Sequence, residues 1–374
     1  MAKTKTKKTQ PPEAEGVSLS DYPSSPAAPS QDSAWEREGK PKLSKEQRLQ
    51  GLSKDELRQI MRDMLLARRF EEKAAEAYAL GKIGGFCHLY IGQEAVSTGT
   101  MSMLRPDDYV ITTYRDHGPA LARGMTPRAI MAELFGRQDG CSRGKGGSMH
   151  LFDANTNFLG GHGIVGGHVP LAAGVGFAIK YRGGDQVMIC FMGESVVNTG
   201  AFHEALNMAG LWKLPVVFII ENNRYGMGTA LERASAIHDI YERGAAYNMP
   251  RSQCDGQDVF AVRQAVGEAV DRARKEQVPT LLEIRTYRFM GHSMSDAVSG
   301  TYRPKSELEE QMKRDPITLL RNRMQEEGQL TDDKLQKLDE ELKATVQDAW
   351  DFADASPELP IEALYEDVYA DTTT

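Results

Sequence analysis

The segment Gln186–Ile220 constrains the fold more than any other part of this chain. Gln186–Met192 and Pro215–Ile220 read as strands, and Thr199–Trp212 between them reads as a helix. An Ala/Gly-rich helix over Pro170–Tyr181 precedes the first strand, and Thr280–Phe289 reads as a later strand. Strands alternating with helices predict an α/β fold, a doubly wound and mostly parallel sheet with helices on both faces. Just upstream, Gly136–Gly167 carries glycine at a density that no regular element tolerates.

Helical extensions are expected at both ends of this core. Ser53-Lys-Asp-Glu56 is a capping-box pattern, followed at helical spacing by Leu57, Ile60, Met61, Met64 and Leu65. That helix is expected to reach Leu80, with Gly81 as its stop. Asp108–Thr113 reads as a strand and Pro127–Phe135 as a short helix. A C-terminal helical extension is expected from about residue 305. Within it, Asp315-Pro316 gives an N-cap with proline behind it, and Leu335, Leu338, Leu342, Val346 and Ala349 form one apolar stripe. Residues 1–43, rich in Lys, Pro, Ser, Glu and Ala, read as a disordered tail. The division is therefore a tail over 1–43, a domain over 44–365 and a short tail over 366–374.

Composition excludes several classes. A net charge of −8 argues against nucleic acid as a partner. Cys87, Cys141, Cys190 and Cys254 form no CxxC pair, which excludes a disulfide framework or zinc finger and fits a reducing compartment. No apolar run approaches the ~18 residues of a membrane span. The basic start MAKTKTKKT is followed by Glu13 and Glu15, unlike an acid-poor transit peptide. A soluble cytoplasmic protein is expected.

Some short motifs match familiar patterns by accident. Gly140-Cys-Ser142-Arg-Gly144 fits GxSxG but follows a helix rather than a strand. His203-Glu204 lacks the second histidine of a zinc protease, and Lys145 precedes Gly146 where a P-loop needs Ser or Thr. Gly161-His-Gly163-Ile-Val-Gly166 fits GxGxxG, with Asp185 roughly where a ribose-binding acid would stand, but the residues before it read as loop. A different constellation stands out. One strand ends at Gly193-Glu194-Ser195 and the next at Glu221-Asn222-Asn223, so a carboxylate and an amide share the carboxyl edge of two consecutive parallel strands. Open α/β sheets bind ligands at that edge, and such oxygens suit Mg²⁺ bridging a diphosphate. On spacing alone, a helix cap followed by a turn accounts for them better.

Longer motifs decide between these readings. GES-x-x-N, followed by EALNMAGLWKLPVVFIIENNRYGMGT, resembles the thiamine diphosphate signature of the alpha subunits of the pyruvate dehydrogenase component. The resemblance extends through FCHLYIGQEA (86–95), TTYRDHG (112–118), GRQDGCSRGKGGSMHLF (136–152), GGHGIVGGHVPLAAG (160–174) and YRFMGHSMSD (287–296), and covers roughly residues 50–365. It implies thiamine diphosphate and Mg²⁺ as cofactors. Glu194, Asn223 and the carbonyl of Tyr225 would hold the metal, with Gly193 and Ser195 beside the diphosphate. Tyr114 and Arg115 would contact that diphosphate, and Gly163 and Val165 would hold the aminopyrimidine through backbone groups. His88 and Phe86 would sit near the cofactor. His292 would lie by the thiazolium on a mobile loop ordered by Arg288 and Asp296.

The implied activity is oxidative decarboxylation of pyruvate, with the acetyl group passing to the lipoyl domain of a dihydrolipoyl acyltransferase. The alternatives are an alpha subunit for acetoin or branched-chain 2-oxoacids, or a non-catalytic assembly subunit. The family takes the glutamate facing the pyrimidine from a separate beta subunit, so an α2β2 heterotetramer is implied. This sequence departs from the family at Gly193-Glu194-Ser195, where relatives have Gly-Asp-Gly. Ser293 matches the mammalian phosphorylation site but reads as an ordinary loop serine. His150, His162, His168 and His238 read as structural.

Overall fold

The computed structural model describes residues 49–366 and 368. The tail expected over 1–43 lies outside the described residues, as does most of the one expected over 366–374. The described chain opens with α1 (Lys54–Ala79), whose capping box is formed. The Glu56 N–H donates to Ser53 Oγ at 3.3 Å, and the Ser53 N–H donates to Glu56 Oε2 at 2.8 Å. Then follow α2 (Glu94–Met101), β1 (Tyr109–Thr113), α3 (His117–Arg123), α4 (Pro127–Leu134), β2 (Phe158–His162), α5 (His168–Tyr181), β3 (Met188–Gly193), α6 (Gly200–Trp212) and β4 (Val216–Asn222). A small ribbon of β5 (Tyr225–Gly226) and β6 (Thr229–Ala230) precedes α7 (Leu231–Ala234), β7 (Arg251–Asp255), α8 (Val259–Glu276) and β8 (Thr280–Arg285). Three helices follow: α9 (Lys305–Met312), α10 (Pro316–Glu326) and α11 (Asp332–Ala355).

The main sheet has the order β2-β1-β3-β4-β8-β7, and every pairing in it is parallel. Side chains alternate across a strand, and here they divide two apolar cores cleanly. Ile189, Phe191, Val217 and Ile219 face one core with α1, α4 and α8, whereas Met188, Cys190, Met192, Val216 and Phe218 face the other with α5 and α6. The sheet is thus doubly wound, as the strand–helix alternation implies. A third cluster joins Leu57, Met61 and Met64 of α1 to Leu320 and Met324 of α10 and to Leu338 and Leu342 of α11. Among the described residues no helix is long and apolar enough to cross a membrane.

The glycine-dense stretch does contain a regular element. Phe158–His162 pairs with β1 as an edge strand, with its register slipping between Val110 and Thr112. An edge strand with one partner tolerates that slip and two glycines, which a central strand does not. The strand expected over Thr280–Phe289 ends sooner, at Arg285. Beyond it the Thr286 N–H turns to Asn222 O and the Phe289 N–H to Ile91 O, carrying the chain out of the sheet.

Candidate active site

The carboxyl ends of β1, β2, β3, β4 and β8 surround a cavity of about 550 Å³, a size typical of small-molecule sites. Chain direction puts it there. β1 leads to β2 on one side of it and the chain then crosses to β3 on the other, so the strand ends splay apart above the crevice. Past β1 stand Tyr114 and Arg115, and past β2 stand Gly163 and Val165. The end of β3 brings Gly193, Glu194 and Ser195, and the end of β4 brings Asn223 and Tyr225. Past β8 come Arg288, His292 and Asp296, while Phe86 and His88 enter from the segment after α1. Every residue singled out from sequence therefore lines one cavity.

The cavity is electrostatically unfinished. Arg115 and Arg288 are both buried, yet neither has a carboxylate partner among the described residues. Arg115 donates to Leu89 O at 2.6 Å and His292 O at 2.9 Å. Arg288 reaches Met290 O, Met227 O and the Tyr302 hydroxyl at 3.1 to 3.3 Å. Burial, helped by the charge of Arg288, lowers the Arg115 guanidinium to about 10. Buried cations without counter-charges are costly unless something else compensates them, so this pair suits an anionic ligand.

The two histidines answer to the same field. The rings of His88 and His292 lie 5.1 Å apart, with Tyr114 4.4 Å from His88. Burial first and the Arg115 charge second push His88 down to about 3 and His292 down to about 4. Both imidazoles are therefore neutral near pH 7, and the Nδ1 atom of each is buried without a hydrogen-bond partner.

A cluster of hard oxygens faces the guanidiniums. Glu194 is buried, and that burial raises its carboxyl above the ordinary range while the N–H groups of Glu194 and Asn223 face it. Gln93 Oε1 accepts from Asn223 Nδ2 at 3.3 Å, which fixes the orientation of the Asn223 amide. Arg288 approaches both Asn223 Oδ1, at 3.5 Å, and Tyr225 O, at 3.4 Å. These oxygens already attract a cation. Among the described residues no three His, Cys, Asp or Glu side chains converge to hold a metal. One carboxylate with amide and carbonyl oxygens is nevertheless a set that fits Mg²⁺, which keeps several other ligands from water and phosphate. Ser195 is accommodated locally: its Oγ fills the place a Cβ on Gly226 would need.

Besides the Arg115 bond to His292 O, further hydrogen bonds tie down the segment bearing His292. Ser293 donates from N and Oγ to Asp296 Oδ2 at 2.8 and 2.7 Å, and the Met294 N–H donates to Cys87 O at 2.9 Å. The Ser293 hydroxyl lowers the Asp296 carboxyl below its usual range.

Sequence reasoning passed over several lining residues. His162 and His168 read as structural, yet both face the cavity, with His168 Nε2 also bonded to Phe191 O at 2.7 Å. Gln93 and Glu221 were not singled out. Glu221 accepts from the buried Tyr90 hydroxyl, and burial lifts its carboxyl to about 7. Its signal was its place, two residues before Asn223 at a strand end. The accidental motifs dissolve for physical reasons. Ser142 donates its hydroxyl to His150 O at 2.7 Å and so is no nucleophile. A strand does precede Gly161–Gly166, contrary to expectation, but Asp185 sits before β3 at the opposite edge, paired with Arg105 at 2.7 Å.

A doubly wound sheet whose carboxyl edge joins unpaired guanidiniums to a set of hard oxygens defines an enzyme that binds a diphosphate-bearing cofactor. The chain belongs to the dehydrogenase E1 component family, whose model matches residues 62–362. Membership implies dependence on thiamine diphosphate. The chain is 50% identical over 317 residues to the pyruvate dehydrogenase E1 component subunit alpha of Rhizobium meliloti (strain 1021), covering 84% of this chain and 90% of that protein. It is 47% identical over 317 residues to the protein of that name from Zymomonas mobilis, covering 84% and 89%. With the Rickettsia bellii protein of that name it shares 44% over 316 residues, covering 84% and 96%.

Proposed function

We propose that this chain is the alpha half of a thiamine diphosphate-dependent enzyme that oxidatively decarboxylates pyruvate and passes the acetyl group to the lipoyl domain of a dihydrolipoyl acyltransferase. The observation that carries this reading is the likeness to the Rhizobium protein across nearly the whole matched length. The cavity chemistry supports it. Bound thiamine diphosphate supplies a nucleophilic carbon and an electron sink for loss of carbon dioxide from a 2-oxoacid. This chain's residues do the holding. Arg115 and Tyr114 take the diphosphate, and Arg115 suits that task as a rigid fork of donors. Arg288 adds a second positive charge beside it and steadies the loop of His292, while Gly193 and Ser195 flank the phosphates. Glu194, Asn223 and the Tyr225 carbonyl take Mg²⁺. Gly163 and Val165 present backbone to the aminopyrimidine, with Phe86 at the mouth. His292 and His88, neutral and with free Nδ1 atoms, donate or accept protons beside the reacting carbon, and Asp296 orders the loop of His292 through Ser293.

The beta subunit completes the site in an α2β2 heterotetramer, and the cytoplasm is the expected location. Residues 44–365 form the working domain between a tail over 1–43 and one over 366–374. The test is pyruvate-dependent dye reduction by this chain co-purified with its beta partner. Activity that requires both chains, thiamine diphosphate and Mg²⁺ is the expected result. Activity confined to acetoin or branched 2-oxoacids would move the substrate, and inactivity with all three would make the chain an assembly subunit.

A further inference from the structure

Glu133, at the end of α4, is buried with no cationic partner among the described residues, and its carboxylate is saturated by backbone. Oε2 accepts from the N–H groups of Ser142 and Gly144, each at 2.8 Å. Oε1 accepts from those of Gly146 at 2.7 Å and Gly147 at 3.0 Å. The glycine-dense loop is wound around this one side chain. A Cβ on Gly140 would meet Glu133 Cα at 2.6 Å, and Gly144 and Gly147 have φ of +72° and +61°. Such a cradle needs near approach and left-handed backbone, which glycine supplies.

The wrapped loop leads directly to the cavity wall. Ser142 Oγ holds His150 O at 2.7 Å, and His150 Nδ1 meets Gly161 O at 2.9 Å. The His150 ring backs Gly163, where a Cβ would lie 3.4 Å from Cε1. Between these points Met149 lines the cavity itself, and its carbonyl would be 2.5 Å from a Cβ on Gly161. Gly163 is the residue whose backbone is read above as facing the aminopyrimidine.

We infer that Glu133 is a positioning residue: it sets the loop that holds the Gly161–Val165 wall in place for the aminopyrimidine ring of the cofactor. The inference rests on the thiamine diphosphate reading of the cavity. It separates two parts of the site: among the described residues neither Arg115 nor Arg288 hydrogen-bonds the Ser142–Gly147 cradle, and the nearest tie is the Leu151 N–H to Asp116 Oδ2 at 3.1 Å, beside Arg115.

The test compares two ligands on the full chain with its beta partner. Thiamine diphosphate and inorganic pyrophosphate are each titrated calorimetrically in the presence of Mg²⁺. Glu133→Gln places an amide NH₂ against two of the N–H donors and leaves them unpaired. It is expected to weaken thiamine diphosphate by about tenfold and to leave pyrophosphate within about twofold. Equal weakening of both ligands, or of neither, overturns the inference. Parent protein that does not bind thiamine diphosphate at all defeats the cofactor reading instead. If Glu133→Gln fails to fold, Ser142→Ala keeps the cradle and cuts only the link to His150 O. It is expected to weaken thiamine diphosphate by about threefold and leave pyrophosphate unchanged. Unchanged binding of both ligands to a folded Ser142→Ala protein overturns the inference as well.

Discussion

The two edges of the same sheet treat buried charge in opposite ways. At the amino edge, fully buried Asp108 accepts from the N–H groups of Arg105 and Val187 at 2.8 Å each and from Arg274 at 2.7 and 3.0 Å. Arg105 in turn pairs with Asp185 at 2.7 and 2.8 Å, and Arg123 donates to the carbonyls of Thr156 and Pro106. Asp108 and Arg274, like Arg105 and Asp185, are thus paired as opposite charges, while Arg123 is held by carbonyl oxygens. At the carboxyl edge, Arg115 and Arg288 are buried with no carboxylate partner among the described residues, and His88 and His292 each bury an Nδ1 without a hydrogen-bond partner. The amino edge is closed chemistry that fastens strand starts together. The carboxyl edge is left incomplete, and the missing complement has the charge of a diphosphate.

The largest expected effect tests the closed edge. Asp108→Ala leaves Arg274 buried beside unpaired N–H groups and should lower stability by about 3–5 kcal/mol, read by denaturant unfolding. The folded fraction should bind thiamine diphosphate normally. A change below about 1 kcal/mol would show that this network is solvated and would break the contrast.

Arg115→Met should behave in reverse. Removing an unpaired buried charge leaves stability within about 1 kcal/mol of the parent or raises it. Thiamine diphosphate affinity should fall by about a hundredfold, roughly 2.7 kcal/mol, in calorimetric titration. A large loss of stability with unchanged affinity would mean that Arg115 is structural.

A smaller effect concerns pH. The folded values of His88 and His292, about 3 and about 4, lie below the ordinary histidine value. Between those values and about 6.5 the unfolded chain binds more protons than the folded one. Their contribution to stability is therefore complete above about pH 6.5 and is lost as pH falls toward 4. His88→Asn should flatten that part of the stability profile, and the ring resonances of both histidines should stay in the neutral position at pH 6. A protonated His292 at pH 6 would show that burial and the guanidinium charges do not hold the ring neutral.

The smallest effect is expected at the departure from the family motif. Ser195 is housed against Gly226, and Glu194 is met by local N–H groups. Restoring Asp at 194 and Gly at 195 together should change the Mg²⁺ concentration for half-saturation by less than about tenfold. A hundredfold gain would identify the native pair as a weakened metal site.

Much of this was legible in residue order. The capping box at Ser53, the N-cap at Asp315 and the strand pair around α6 are local or periodic signals, and each element formed within a few residues of its expected place. The residues singled out for the cavity were found through long motifs, and the structure brings all of them to one cavity. Helix α8 was missed although Asp258 caps it and Val259, Val262, Val266 and Val270 give it a helical stripe, a signal that was there to be used. β2 was missed for a better reason, since two glycines hide a strand whose one partner, β1, lies far away in sequence.

The sequence by itself determined the α/β class, the capped starts of α1 and α10 and the strand pair whose ends line the cavity, because caps and periodicity act within a few residues. Only tertiary structure decided which charges stay unpaired. Arg105 and Arg115 are both arginines near a strand terminus, and nothing local separates them. One meets Asp185 across eighty residues of chain, and the other donates to carbonyl oxygens and forms no ion pair among the described residues. Burial and distance in space set that difference, and so do they for Glu133, whose four donors lie nine to fourteen residues downstream.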